Sequence, residues 1–260
     1  MSAIKSDPLV LNLGCGNKIN SSMINIDFVK GQSDVLCHNL LLPLPYQENT
    51  VDMIYHSNVL EHFNQIDGNT FLKDSFRVLK TNGILRISIP DLENIASEYL
   101  RLLREKPINW EDKVKWMKLE LIDQISRNKP GGDMAPFLSG ENNIVDYVES
   151  RIGKFKGREG YRQARVNYSV SKIASKAVRH LVGFLSPSWK IGKFRASGET
   201  HQWMYEFATL EKQLKKIGFS RVIRTDCQNS NSNWWLANNL DIDSSGHAYD
   251  PQNLILEAIK

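Results

Sequence analysis

The sequence predicts an α/β protein on a largely parallel sheet, and three observations carry that prediction. Short apolar runs suited to strands alternate with helical patterns at intervals of about 20 to 30 residues through the first ninety positions. The rhythm stops for about a hundred residues and resumes near position 199. The first apolar run, Leu9 to Leu13, ends directly in Gly14-Cys15-Gly16, the signature of a buried strand entering a tight turn.

Each element follows in order. Met23 to Phe28 alternates apolar and polar residues and reads as a second strand. Val35 to Leu42 is a third, closed by Pro43-Leu44-Pro45. Val51 to His56 is a fourth, followed by a helical pattern from Asn58 that is broken by a turn at Asp67-Gly68 and resumes from Phe71 to Leu79. Asn82-Gly83 ends it, and Ile84 to Ile89 is a fifth strand leading into Pro90-Asp91. Helices are expected over Ile95 to Leu103 and Trp110 to Ile125, before a Gly/Pro-rich turn at 129 to 136. A helix from Tyr205 to Ile217, a stop at Gly218, and strands over Ser220 to Thr225 and Asn253 to Ile259 complete the pattern.

Composition narrows the function classes. The chain of 260 residues is 41% hydrophobic and 24% charged, ordinary for a folded protein, and no apolar run approaches the roughly 18 residues of a membrane span. The first residues lack a basic stretch followed by an apolar one, so no secretion signal is expected. Three cysteines without paired or ligand spacing suit reduced thiols in a cytoplasm, and no metal site is expected. The net charge of +4 is unevenly placed: residues 151–195 hold twelve Lys/Arg and one acid, Glu159, leaving −7 on the remainder. Such a block attracts phosphate, nucleic acid or anionic lipid, or is a solvated face.

The glycine turn carries the chemistry. Without Cβ atoms, Gly14 and Gly16 let a ligand approach backbone N–H groups, and Asp27 at the carboxyl end of strand two suits a ribose. In an open α/β sheet both features face the crevice where ligands bind. Ile19 stands where the dinucleotide fingerprint has its third glycine, and Asp27 follows Gly14 by thirteen residues instead of about twenty. A nicotinamide oxidoreductase is therefore disfavoured.

LNLGCG with INIDF, then DMIYHSNVLEHF, then VLKTNGILRISIPDL resemble the successive motifs of class I S-adenosylmethionine-dependent methyltransferases. KKIGFSRVIRTD and LILEAIK are similar to that family's last two strands. The resemblance implies a Rossmann-like seven-stranded sheet of order 3-2-1-4-5-7-6, its last strand antiparallel, formed by residues 1–92 and 199–260. Residues 93–198 would then be a helical, basic insertion that covers the pocket and binds the acceptor. The insertion and HQWMYE at 201–206 resemble a bacterial subgroup associated with surface-polysaccharide or glycolipid assembly. The cofactor implied is S-adenosyl-L-methionine: Gly14, Cys15 and Gly16 under its methionine part, Asp27 on the ribose hydroxyls, Asn39-Leu40 beside the adenine, and the backbone of His56 and Ser57 along the carboxylate and sulfonium. Cys15 reads as a packing residue, since nothing near it in sequence lowers a thiol pKa.

An alcohol acceptor benefits from a base of near-neutral pKa. His62, one turn beyond strand four, and His201, after the insertion, are the candidates, with Asp91 placed to orient a histidine, bind a sugar hydroxyl or cap the next helix. Val170 to Leu185 patterns as an amphipathic helix with Lys172, Lys176 and Arg179 on one side, suited to an anionic membrane surface or to a lid. Tyr161, Tyr168, Trp189, Trp203, Trp234 and Trp235 are either sugar-stacking surfaces or core. The sequence thus predicts a cytoplasmic enzyme that methylates an oxygen of a sugar or glycan, with the basic block meeting an acceptor phosphate and its helix either touching the inner membrane face or serving as a lid. The alternatives are N- or C-methylation of a small metabolite, methylation of RNA, and a methyltransferase-like binding protein without turnover.

Overall fold

The computed structural model describes residues 7–29, 34–140, 143–154 and 187–260. The chain forms two compact units, one from Met1–Asn94 with Gln202–Lys260, the other from Ile95–His201.

The first unit holds a seven-stranded sheet: β1 (Val10–Leu13), β2 (Ile24–Asp27), β3 (Val35–Cys37), β4 (Val51–Ser57), β5 (Leu79–Pro90), β6 (Arg221–Thr225) and β7 (Asn253–Ile259). Their order is β3-β2-β1-β4-β5-β7-β6, with β7 antiparallel to both its neighbours, as the methyltransferase resemblance implies. All four residues of β1 are buried, because both faces of this central strand are covered. Leu13 stands beside His56 in register, and Ser57 beside Ser88, so the carboxyl ends of β1, β4 and β5 share one edge.

Alternation along the strands sends Leu11, Leu13, Ile26, Ile54, Leu85, Ile87 and Leu256 to one face. There they pack with Phe71, Leu72 and Val78 of helix α1 (Gln65–Val78). Val51, next to a register shift against β5, packs in that same cluster with Ile54. Val10, Met53 and Tyr55 point to the other face. No helix follows β1 to cover that face, because Gly14 to Met23 holds only turns, bonded Lys18 N to Cys15 O (2.8 Å) and Met23 N to Asn20 O (3.1 Å). Its cover comes from residues 226–252, between β6 and β7: Trp235, fully buried, packs on Val10, Met23, Met53 and Tyr55.

Three local readings of the sequence are corrected. The third strand ends at Cys37, since Asn39 closes a turn with Oδ1 accepting from Leu41 N (3.0 Å) and its carbonyl from Leu42 N (2.9 Å). Asp67-Gly68 lies inside α1: Asn64 caps the helix by accepting from Ile66 N and Asp67 N, and a Cβ on Gly68 would lie 2.9 Å from the Tyr205 hydroxyl, so the glycine serves close packing. The long helix expected over 110–125 is α-helical to Lys118, widens into a π turn over Leu119–Asp123 and returns to α over Gln124–Ser126.

Among its described residues the second unit is helical, with α2 (Leu92–Glu105) entering it, then α3 (Trp110–Lys118), α4 (Met134–Ser139), α5 (Val145–Ile152) and α6 (Pro187–Arg195). The π turn aims Glu120 inward, where it accepts from the Trp116 indole and pairs with Arg151 at 2.7 Å. No helix among the described residues is long and apolar enough to cross a membrane. The amphipathic stretch 170–185, with Lys172, Lys176 and Arg179, and the aromatics Tyr161 and Tyr168 lie outside the described residues. Lys190, Lys193 and Arg195 of the basic block are exposed on α6.

Candidate active site

The sheet edge built by the carboxyl ends of β1, β2, β4 and β5 gathers most of the predicted residues. Gly14 and Gly16 have φ of +63° and +50°, a region that favours glycine. Gly14 has a second reason to lack a side chain, since a Cβ there would lie 2.4 Å from Val59 Cγ2. At Gly16 a Cβ meets nothing within 4 Å, so the loop leaves open space. That space adjoins Asp27, whose Oδ2 accepts from Gly16 N (2.9 Å) while Oδ1 accepts from Val29 N (2.9 Å). Each carboxylate oxygen keeps a lone pair, which is what a ribose diol needs.

Beneath the loop a buried amide pair sets its path. Asn12 donates to Lys18 O (2.7 Å) and to Asn25 Oδ1 (2.9 Å), and Asn25 donates to Asn20 O (2.9 Å). Cys15 is buried, and burial followed by the Asp27 charge pushes its thiol up to about 11, so it stays protonated and packs. Asn39 and Leu40 follow β3, the amide engaged in its own turn and the leucine packed against the core.

His56 is fully buried, its ring edge-on to Phe71 at 5.3 Å, and burial depresses its pKa to about 3. Its imidazole is a neutral core group, which leaves its backbone and that of Ser57 for the site. Asp91 is buried at the end of β5, where Oδ1 accepts from Glu93 N (3.0 Å) and caps α2. Its Oδ2 pairs with Arg224 at 2.5 Å, and burial still lifts the carboxyl above its usual range. His62 ends a one-turn 3-10 helix, Leu60–His62, and is half-buried. His201 is the last residue of the second unit, buried, its amide donating to Gln124 O (3.0 Å).

The sequence reading missed Glu61. Its carboxyl is 1% exposed, and neither oxygen has a hydrogen-bond partner among the described residues. Burial, then the Asp250 charge, raises it to about 8. Its backbone carbonyl accepts from Gln202 N (2.7 Å) and Trp203 N (3.2 Å), which fixes the turn. The signal available was the acid next to His62 in LEHF, within a helical pattern that does not form there. Trp235, one of the candidate stacking surfaces, is core, whereas Trp189 and Trp203 are exposed.

Residues 15–87 match the methyltransferase domain family. An uncharacterized protein of Methanocaldococcus jannaschii is 30% identical over 107 residues, which are 36% of this chain, and the chain spans 46% of the length of that curated relative. Among solved structures, a SAM-dependent methyltransferase from Archaeoglobus fulgidus is 14% identical, covering 98% of this chain and 87% of its own with a TM-score of 0.40. One from Mesorhizobium loti is 13% identical, covering 98% and 92% with a TM-score of 0.41. Residues 15–87 thus match a methyltransferase domain family, and they form part of a Rossmann-like sheet of order β3-β2-β1-β4-β5-β7-β6.

Proposed function

We propose that this chain transfers a methyl group from S-adenosylmethionine to a hydroxyl oxygen of a sugar or glycan intermediate. The observation that carries the reading is the Asp27 carboxylate bonded to Gly16 N at the edge of the sheet, beside open space and with a lone pair left on each oxygen. Asp27 would hold the ribose hydroxyls, Gly14 to Gly16 and the backbone of His56 and Ser57 the methionine part, and Asn39-Leu40 the adenine. When bound, the cofactor supplies an electrophilic methyl on a sulfonium.

The protein's own part is to position the acceptor oxygen and take its proton. Displacement at a methyl is accelerated mainly by holding the nucleophile in line. A base near neutral pKa adds to that, and Glu61, raised to about 8 next to His62, meets the requirement. His62 and His201 are retained as bases, and Asp91, tied to Arg224 and to the start of α2, as a positioning group. The charge of 151–195 supports an acceptor bearing phosphate, on a nucleotide or on a lipid at an anionic membrane surface.

Calorimetric titration of the wild type and Asp27→Ala with S-adenosylmethionine, S-adenosylhomocysteine and NAD tests the cofactor. Micromolar binding of the two adenosyl compounds, lost in the variant, with NAD silent, is the expected result. A folded wild type that binds neither adenosyl compound would sink the assignment. Transfer of labelled methyl to nucleotide sugars, but not to amines or RNA, tests the acceptor.

A further inference from the structure

We propose that Lys18 and Asp250 dock the amino-acid end of the methyl donor, the lysine facing its carboxylate and the aspartate its ammonium group. The inference rests on the function proposed above. Lys18 belongs to the glycine loop, its amide donating to Cys15 O (2.8 Å). Asp250 comes from the far end of the chain, in the connection that covers the Val10/Met53/Tyr55 face, and lies just before β7. Its Oδ2 accepts from Lys18 Nζ (3.1 Å) and from Asn58 Nδ2 (3.2 Å). Asn58 follows β4 directly, with φ +54° and its amide on Ser88 O (2.9 Å), so the acid sits over the ends of β1, β4 and β5.

Two further features argue for a dock and against a merely structural ion pair. The Lys18 and Asp250 side chains are part-buried yet keep 28% and 25% of their surface open, so a ligand can reach both. The pair presents one positive and one negative group side by side, the complement of a zwitterion. Next to Asp250 in the chain, Gln252 Oε1 and Asn253 Oδ1 are buried without hydrogen-bond partners among the described residues. An ammonium brings three N–H donors, and buried acceptors left without donors are costly until something supplies them. Asn253 is held in place through its other amide atom, which donates to Asn58 Oδ1 (2.9 Å) and Ser88 Oγ (3.1 Å). Lys18 is held over the Tyr249 ring at 4.4 Å from its centre. The C-terminal connection thereby does two jobs: it covers the sheet face that no early helix covers, and it carries half of a ligand dock.

The test is titration of the full chain, wild type, Lys18→Met and Asp250→Asn, with S-adenosylhomocysteine and with 5′-methylthioadenosine, which keeps the adenosyl part and has no amino-acid end. S-adenosylhomocysteine affinity is expected to fall about tenfold or more in each variant, while 5′-methylthioadenosine binds all three chains alike. The exchanged pair Lys18→Asp/Asp250→Lys restores a simple ion pair and is expected to restore thermal stability without S-adenosylhomocysteine affinity. A wild type that binds neither compound would overturn the functional reading and this inference with it. A wild type that binds both, with variants that keep full S-adenosylhomocysteine affinity or lose both compounds equally, would overturn the dock alone. Recovery of affinity in the exchanged pair would do the same.

Discussion

The two faces of the sheet are held by different physics. On one, Leu11, Leu13, Ile26, Ile54, Leu85 and Ile87 meet α1 and α7 (Phe207–Ile217) through an almost wholly apolar core. On the other, the cover is irregular chain, and it is fastened by polar groups that are themselves buried. Arg86, 0% exposed, donates to Asp241 (2.7 Å), to Glu257 (2.7 Å), and to the carbonyls of Asn229 (3.0 Å) and Asp226 (2.8 Å). Tyr55 donates to the other oxygen of Asp241 at 2.8 Å. An amphipathic helix finds its place on a sheet by its stripe alone. A connection whose only helix is the five-residue α8 (Asn233–Ala237) has no such stripe, and fixed hydrogen-bond partners define where it lies.

The largest expected effect breaks the polar face. Arg86→Ala leaves Asp241 and Glu257 buried without their cation, and removing one partner of such a group costs about 3–5 kcal/mol. Leu72→Ala, at a fully buried position on the apolar face, costs about 2–5 kcal/mol as a cavity. Urea unfolding of both variants distinguishes the mechanisms. Adding Asp241→Asn to Arg86→Ala is expected to recover part of the loss, because it removes an unpaired charge, whereas Asp241→Asn added to Leu72→Ala destabilises further. Simple additivity in both backgrounds would show that the ion network does not fasten the cover.

A second prediction sharpens the comparison through pH, since two ionisable groups of opposite kind are buried, His56 on the apolar face and Glu61 in the turn after β4. His56 has a folded pKa near 3 against an ordinary 6.5, so below about 6.5 the unfolded chain takes a proton that the folded one refuses, and stability falls until about pH 3. Glu61 has a folded pKa near 8 against 4.5, so stability is greatest below 4.5 and is lost as pH rises to about 8. Each slope is about 1.4 kcal/mol per pH unit at most. Between 4.5 and 6.5 the two cancel, and together they give a plateau there with a fall on either side. Denaturant midpoints across pH 3–9 for the wild type, His56→Leu and Glu61→Gln check this. His56→Leu should flatten the acid limb and Glu61→Gln the alkaline limb, and unchanged limbs in the variants would refute both assignments.

The contrast also explains what was legible in the sequence. Strands β1, β4, β5 and β7 and the glycine loop stood out because their buried residues are contiguous in the chain and follow one period. The cover of the other face was not legible: the short spacer from Asn17 to Ser22 showed that a helix was missing after β1, but nothing local says that Trp235 arrives to replace it. Arg86 looked like an ordinary polar position in ILRISI, because its partners lie 140 to 171 residues away. In the site, Gly14, Gly16 and Asp27 were readable from their own conformational and chemical needs. Glu61, Lys18 and Asp250 were not, since a buried carboxyl and a cross-chain ion pair acquire their character only from what the fold places around them.

The smallest expected effect lies within the loop that joins the two faces, and it separates fold from ligand at adjacent glycines. Both carry positive φ, so alanine at either position costs about 1–2 kcal/mol of backbone strain. At Gly14 a Cβ also collides with Val59 at 2.4 Å, whereas at Gly16 it enters open space. Gly14→Ala should therefore be the more destabilising, and Gly14→Ala/Val59→Ala should regain the collision part beyond what Val59→Ala alone predicts. Gly16→Ala should unfold within about 1–2 kcal/mol of the wild type yet bind S-adenosylhomocysteine much more weakly, because its methyl group fills the space beside Asp27. If Gly16→Ala kept full affinity, the ligand would have to lie elsewhere than over this glycine, and the positive φ would be a feature of the turn alone.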